Sequence, residues 1–277
     1  MRGTRTAPGQ RRPQPAAKAC GDQETRLVLS DRDLQDRIIT YLTDANLRRS
    51  SAANDLLGED EGRRAQRFSR FLARRYYRDR LQRGFRHSSA VISHADACCL
   101  VDGKEFDAIV DNCVLGSFAT SREVGQLAVA SLLPLRREAW WQELLEYEFA
   151  LFLQLATSEA TPRSRRPRAR ISTTVRSFGF RFPELLTCLP SQKPLPNTVR
   201  GNTTLLFSRT PHGRIYVVEL DARTEVVFRA VLRGEDLRQL ASKEDWALDE
   251  MKQTLQTLHA IGAVTSGLPD LTLPSSD

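Results

Sequence analysis

The chain has 277 residues, 40% hydrophobic and 27% charged, a balance that predicts a soluble globular protein with room for one large or two small cores. Its formal charge of +7 is uneven: Arg2, Arg5, Arg11, Arg12 and Lys18 sit in a Pro/Ala/Gln-rich leader, with further clusters at Arg63–Arg86 and Arg163–Arg170. A basic total so placed does not by itself argue for nucleic-acid binding.

No apolar run approaches a membrane span, and no signal-peptide core precedes Leu27–Leu29. The five cysteines include no CxxC pair, which fits free thiols and a cytoplasmic protein. Residues 1–26 read as a disordered basic tail. Helical patterning follows over Leu27–Leu57, with Leu34, Ile38, Tyr41 and Leu42 on one face and Asp31 as N-cap; Gly58–Gly62 is expected to break it.

The next helix, RRAQRFSRFLARRYYRDRLQRGFRHS, recurs in arginine. Arg63, Arg67, Arg70, Arg74 and Arg78 fall within roughly 80° of arc, and Ala65, Phe68, Phe71, Leu72 and Tyr76 take the opposite side as core. Such a face is either solvated, docked on an acidic partner, or set against a phosphate backbone with Tyr76, Tyr77 and Phe85 stacking on bases. Val91–Cys99 carries His94, Asp96, Cys98 and Cys99, but adjacent cysteines diverge, so a buried pair of small apolar side chains is expected in preference to a metal site.

Helices are predicted over Phe106–Leu115 and Ser121–Leu133, the second capped by Thr120 or Ser121. Trp140–Ala156 is the longest clean helix, its stripe of Trp141, Leu144, Leu145, Phe149, Phe152 and Leu155 interrupted by Glu148. A carboxylate in such a stripe is an acid or base with a raised pKa, or it caps a buried arginine; the structural role is favoured. Residues 157–170 read as a basic linker.

Ile171–Phe182 alternates as a strand, Leu185–Leu189 is a helical turn and Pro190–Pro196 a connector. Thr203–Ser208 and Arg214–Leu220 form a hairpin around Arg-Thr-Pro-His-Gly. Three helices follow: Thr224–Leu232 between Asp221 and Gly234, a short Glu235–Ala241, and Ala247–His259. The last places Leu248, Met251, Leu255 and Leu258 on one face before Gly262. The fold class expected is α+β: an all-helical domain over 27–156, then a small winged helix-turn-helix domain over 171–265 and a tail over 266–277.

No P-loop, GxGxxG, HExxH or GxSxG is present, and His87, His94, His212 and His259 lie on unrelated elements. No catalytic residue, metal site or cofactor is therefore expected; an enzyme built on His94, Cys98 and Glu148 ranks last. A winged helix most often suggests DNA, but Asp249 and Glu250 open the third helix against a single Lys252, the wrong charge for a groove flanked by phosphates. A DNA-binding regulator thus stands as the alternative to peptide capture. In peptide capture an extended chain adds to the sheet edge at Ile215, Tyr216, Val217 and Val218 beside the Met251, Leu255 and Leu258 face.

The stretch VELDARTEVVFRAVLRGEDLRQLA, followed by a helix and AIGAV, resembles the PqqD-like recognition elements that bind leader peptides of ribosomally made, modified peptides. Upstream, RFSRFLARRYYRDRLQRGFRHS, VLGS at Val114–Ser117 and LLEYEFAL at Leu144–Leu151 resemble the helical domain of partner proteins of multinuclear non-haem iron oxidases, the methanobactin type among them. The resemblance implies a heterodimer in which the oxidase holds the iron and this chain recruits the precursor's leader. It also makes the face of Arg63, Arg67, Arg70, Arg74 and Arg78 the candidate docking surface. It carries no iron ligand onto this chain.

Overall fold

The computed structural model describes residues 39–44, 46–47, 59–92, 97–112, 114–158, 167–189, 196 and 199–265. The basic leader, Asp31, Leu34, Ile38, His94, Asp96, residues 159–166 of the linker and the 266–277 tail lie outside them. A helical turn at 39–43 precedes α1 (Glu59–Gly84), α2 (Arg86–Val91), a 3-10 helix (Ala97–Asp102), α3 (Lys104–Asn112), α4 (Phe118–Leu132) and α5 (Ala139–Ala156). Then come β1 (Thr174–Phe180), α6 (Phe182–Cys188), β2 (Arg200–Arg209), β3 (Ile215–Glu219), α7 (Ala222–Arg233), α8 (Leu237–Lys243) and α9 (Leu248–Ala260). The chain is a mixed helix-and-sheet protein with an antiparallel three-stranded sheet in the order β1-β2-β3.

Several local expectations need correction. α1 starts at Glu59, before the expected Arg63, and takes in Gly62, because one interior glycine costs only about 1 kcal/mol. The cap of α4 is Ser117, whose hydroxyl accepts from the Thr120 amide at 3.2 Å, so the helix starts before Thr120 and Ser121. The strand is shorter than Ile171–Phe182, since Pro183 is preorganised for the first turn of α6. Phe68 and Phe71, expected in the core, are 49% and 54% exposed and stack on each other. Cys99 is exposed, not half of a buried pair.

The period of two along β2 sorts its side chains between two apolar clusters. Leu205 and Phe207 join Tyr77, Phe85, Trp141, Leu144 and Phe152 on the α1–α5 side. Leu206 joins Val227, Phe228, Met251, Leu255 and Leu258 on the α7–α9 side. Tyr147 of α5 ties the first cluster to the sheet, stacked on Phe182 at 4.5 Å and edge-on to Phe207 at 5.4 Å. Each such ring, fully buried, contributes about 1.5–3 kcal/mol.

The C-terminal end of α5 is tied to several other elements. A helix end leaves its last carbonyls without intrahelical donors, and here side chains from three other elements supply them. Arg80 Nε of α1 donates to Leu155 O at 3.1 Å. Tyr76 Oη of α1 and Ser121 Oγ of α4 donate to Ala156 O at 2.8 and 2.9 Å. Arg209 Nη1, at the end of β2, donates to Gln154 O at 3.2 Å and Thr157 O at 3.1 Å. Two guanidiniums at this end also complement the helix dipole.

Candidate functional site

The register of the hairpin decides what β3 offers. Thr210 N donates to Arg214 O at 2.9 Å and Leu220 N to Thr204 O at 2.8 Å. With Leu206 opposite Val218 and Ser208 opposite Tyr216, the even-numbered residues of β3 exchange bonds with β2, because hydrogen-bonded pairs alternate in an antiparallel ladder. Ile215, Val217 and Glu219 therefore turn their N–H and C=O groups away from β2. Among the described residues no fourth strand takes them. Ile215, Tyr216, Val217 and Val218 are each half-buried, with Val217 packed on the first cluster and the Arg214 guanidinium 5.0 Å from the Tyr216 ring centroid.

The other edge is treated differently. β1 bulges between Phe178 and Phe180, and the Gly179 amide left over there donates to Glu143 Oε2 of α5 at 2.8 Å. A Cβ at Gly179 would stand 3.1 Å from Glu143 Oε1, so a glycine fits the approach. Burial, the largest influence, raises the Glu143 carboxyl above its ordinary range. A carboxylate thus takes up an amide on β1, and among the described residues none does so for the outward amides of β3.

Met251, Leu255 and Leu258, expected to line a groove beside β3, are 0%, 1% and 0% exposed. They face inward, filled over by Val227, Phe228 and Leu240, because a three-helix unit this small needs that stripe for its own core. On this side of the sheet, Trp246 and Leu248 are half-buried, and the Trp246 ring lies 4.9 Å from the Arg223 guanidinium.

The arginine face of α1 divides. Arg70 donates through Nε to Asp111 Oδ1 at 2.9 Å, and a second Arg70 nitrogen also bonds Asp111. Arg74 Nη2 donates to both oxygens of Asp107 at 2.7 Å and its Nε to Val101 O at 3.0 Å. Arg78 Nη2 meets Asp102 at 2.8 Å. These three fasten α1 to α3 and the 3-10 helix before it, each pair worth about 0.2–1 kcal/mol at such exposure. Arg63 and Arg67 border a shallow hollow at the other end of α1. The signal for the inward use was in the sequence: Asp107 and Asp111 stand at i and i+4 on one helix, matching the spacing of Arg70 and Arg74.

Glu148 is fully buried and bonds backbone, not an arginine. Its Oε1 accepts from the amides of His87 at 2.6 Å and Ser88 at 3.2 Å, at the start of α2. Burial pushes this carboxyl up to about 7 against those hydrogen bonds. His87 Nε2 accepts from Arg86 Nε at 3.0 Å, and burial lowers the imidazole's pKa, which keeps it neutral. The Tyr77 phenol is pushed by burial up to about 12, so it stays a donor within the core.

No described group of three or more His, Cys, Asp or Glu side chains is arranged to hold a metal, and no described helix is long and apolar enough to cross a membrane. No protein-family model matches the chain, and no curated protein matches it.

Proposed function

We infer that this chain is a non-catalytic accessory subunit that captures an extended peptide along β3. The peptide in this reading is the leader of a ribosomally made precursor, and the chain's helical part docks on an iron-dependent oxidase that modifies it. The observation that carries the reading is the β3 edge, where the N–H and C=O groups of Ile215, Val217 and Glu219 point away from β2. A hairpin, β2–β3, followed directly by three helices supports a PqqD-like winged helix, as does the resemblance of Val218–Ala241 to that family; α6 between β1 and β2 is an addition to that order. Arg67 is the docking candidate kept on α1, since Arg70, Arg74 and Arg78 serve the fold.

The test is co-purification of the tagged chain expressed with the products of its neighbouring genes, with iron and protein identity read in the eluate. A stoichiometric iron-containing partner and a precursor are expected. Val217→Pro removes an amide that β2 does not use, so the variant is expected to fold and keep the oxidase but lose the precursor. Val218→Pro removes a ladder amide and is expected to destabilise the sheet itself. Elution of the chain alone, or precursor retained by folded Val217→Pro, overturns the reading.

A further inference from the structure

The outward edge of β3 is apolar in the middle and charged at its two ends. Tyr216, Val217 and Val218 are half-buried, whereas Arg214 and Glu219 are exposed. Among the described residues no carboxylate pairs with Arg214, whose guanidinium lies over the Tyr216 ring, and no cation pairs with Glu219. Residues directly opposite one another across antiparallel strands interact, and opposite charges there are favourable. The strand that fits this edge therefore carries three apolar residues, with an acid facing Arg214 and a base facing Glu219.

The chain's own sequence contains such a strand. Arg26-Leu27-Val28-Leu29-Ser30-Asp31 precedes Ile39, where the described residues begin. Set antiparallel with Val28 opposite Val217, it brings Arg26 to Glu219, Leu27 to Val218, Leu29 to Tyr216 and Asp31 to Arg214. Other settings lose this match. A parallel one sets Arg26 against Arg214 and Asp31 against Glu219. A slip of one residue brings Arg32 to Arg214 or Arg26 to Val218, and a slip of two brings Glu24 to Glu219 or Asp31 to Tyr216.

The path of the chain agrees with that direction. Leu115 N donates to Thr43 O at 2.9 Å, Ser158 N to Gly116 O at 2.7 Å, and Arg209 Nη1 to Thr157 O at 3.1 Å. Arg209 stands opposite Ile215, so the helical turn at 39–43 is tied to the hairpin end of the sheet, where the antiparallel setting puts Asp31. Eight links join Asp31 to Ile39 and span up to about 26–29 Å. We propose that Arg26–Asp31 adds to β3 as a fourth antiparallel strand, so that the chain's own N-terminal segment holds this edge until another peptide displaces it. The pairing does not depend on what that peptide is; the displacement rests on the peptide-capture reading above. A tethered strand acts at an effective concentration in the mM range, so an incoming peptide binds only by outcompeting it.

The test uses the full-length protein, with hydrogen exchange of the Val217 amide read by NMR and binding of a labelled synthetic peptide of residues 24–33 read by anisotropy. Val28→Pro deletes the segment's central ladder amide and leaves residues 39–277 as they are. In that variant the Val217 amide is expected to exchange about tenfold faster than in the wild type, and the peptide to bind about tenfold more tightly. Arg26→Glu is expected to loosen the edge likewise, and Arg26→Glu with Glu219→Arg to restore its protection. Equal exchange or equal peptide affinity in the wild type and Val28→Pro overturns the proposal. Protection that grows with protein concentration also overturns it, since the occupant is then a second copy. If Val28→Pro frees the Val217 amide but a precursor still fails to bind, the fourth strand stands and peptide capture alone falls.

Discussion

Glu148 sits inside the apolar stripe of α5 and spends its oxygens on the amides that open α2, 60 and 61 residues earlier in the chain. Its carboxyl titrates near 7 in the fold and near 4.3 in an unfolded chain. Across that interval the native state binds the extra proton, so stability is greatest below the lower value and declines as pH rises through the higher one. The loss is roughly 3–4 kcal/mol for a carboxyl so shifted. His87 acts with the opposite sign, since its lowered pKa favours the neutral fold as pH rises. Glu148→Gln keeps an acceptor for both amides, and urea unfolding from pH 5 to 8 should show the variant's stability flatter than the wild type's. An identical pH slope in both proteins rejects the assignment. The burial of Glu148 was readable from the stripe around it. Its partners were not, because main-chain amides carry no residue identity by which a sequence could announce them.

Local signals served best at the scale of the element. Asp221 accepts from the Thr224 amide at 2.7 Å and Gly234 takes φ +69°, as their positions flanking the helix predict. Gly262 does more than end α9. It has φ +77°, and a Cβ there would lie 2.5 Å from Arg209 O and 2.7 Å from Thr210 Cα. Both obstacles are hairpin backbone, which cannot rotate aside. Gly262→Ala should therefore cost about 2–5 kcal/mol, combining left-handed strain with overpacking. Chemical denaturation measures it, and a loss under 1 kcal/mol would show that the hairpin yields. The arginine helix teaches the complementary lesson. Its arc was evident from spacing alone, but pairing of Arg70 and Arg74 with Asp111 and Asp107 required knowing that α1 and α3 lie side by side.

Over the whole molecule the sheet faces two ways. Leu205 and Phe207 are buried with α1–α5, and Leu206 with α7–α9, although all three are consecutive on β2. Neither cluster loses the sheet without exposing aromatic surface. Urea unfolding should accordingly proceed in one transition, with equal midpoints by far-UV circular dichroism and by fluorescence of Trp140, Trp141 and Trp246. Two separated midpoints would mean that the clusters unfold independently. The sequence shows the alternation in Thr203–Ser208 but not its destination, because alternation says that two environments differ and not that both are dry. The convergence of Tyr76, Arg80, Ser121 and Arg209 on the end of α5 was equally hidden. Tyr76 was expected in the core and Ser121 as a cap, and neither reading names the helix end that both reach.

The short pairing before β1 bears on the order in which the molecule assembles. Arg170 N donates to Ala263 O at 3.2 Å and Thr265 N to Arg168 O at 2.7 Å, and the Arg168 amide reaches the Thr265 hydroxyl across 97 residues of chain. A contact of that separation closes a long loop for a few hydrogen bonds, so it gains little until the enclosed strands and helices already exist. The β2–β3 hairpin, joined across a handful of residues, can form early. The seam between 168–170 and 263–265 is expected to close late, after α9 has turned at Gly262 and laid its end along the hairpin. In time, as distinct from space, the last stretch of the described chain completes what the turn before β1 leaves open.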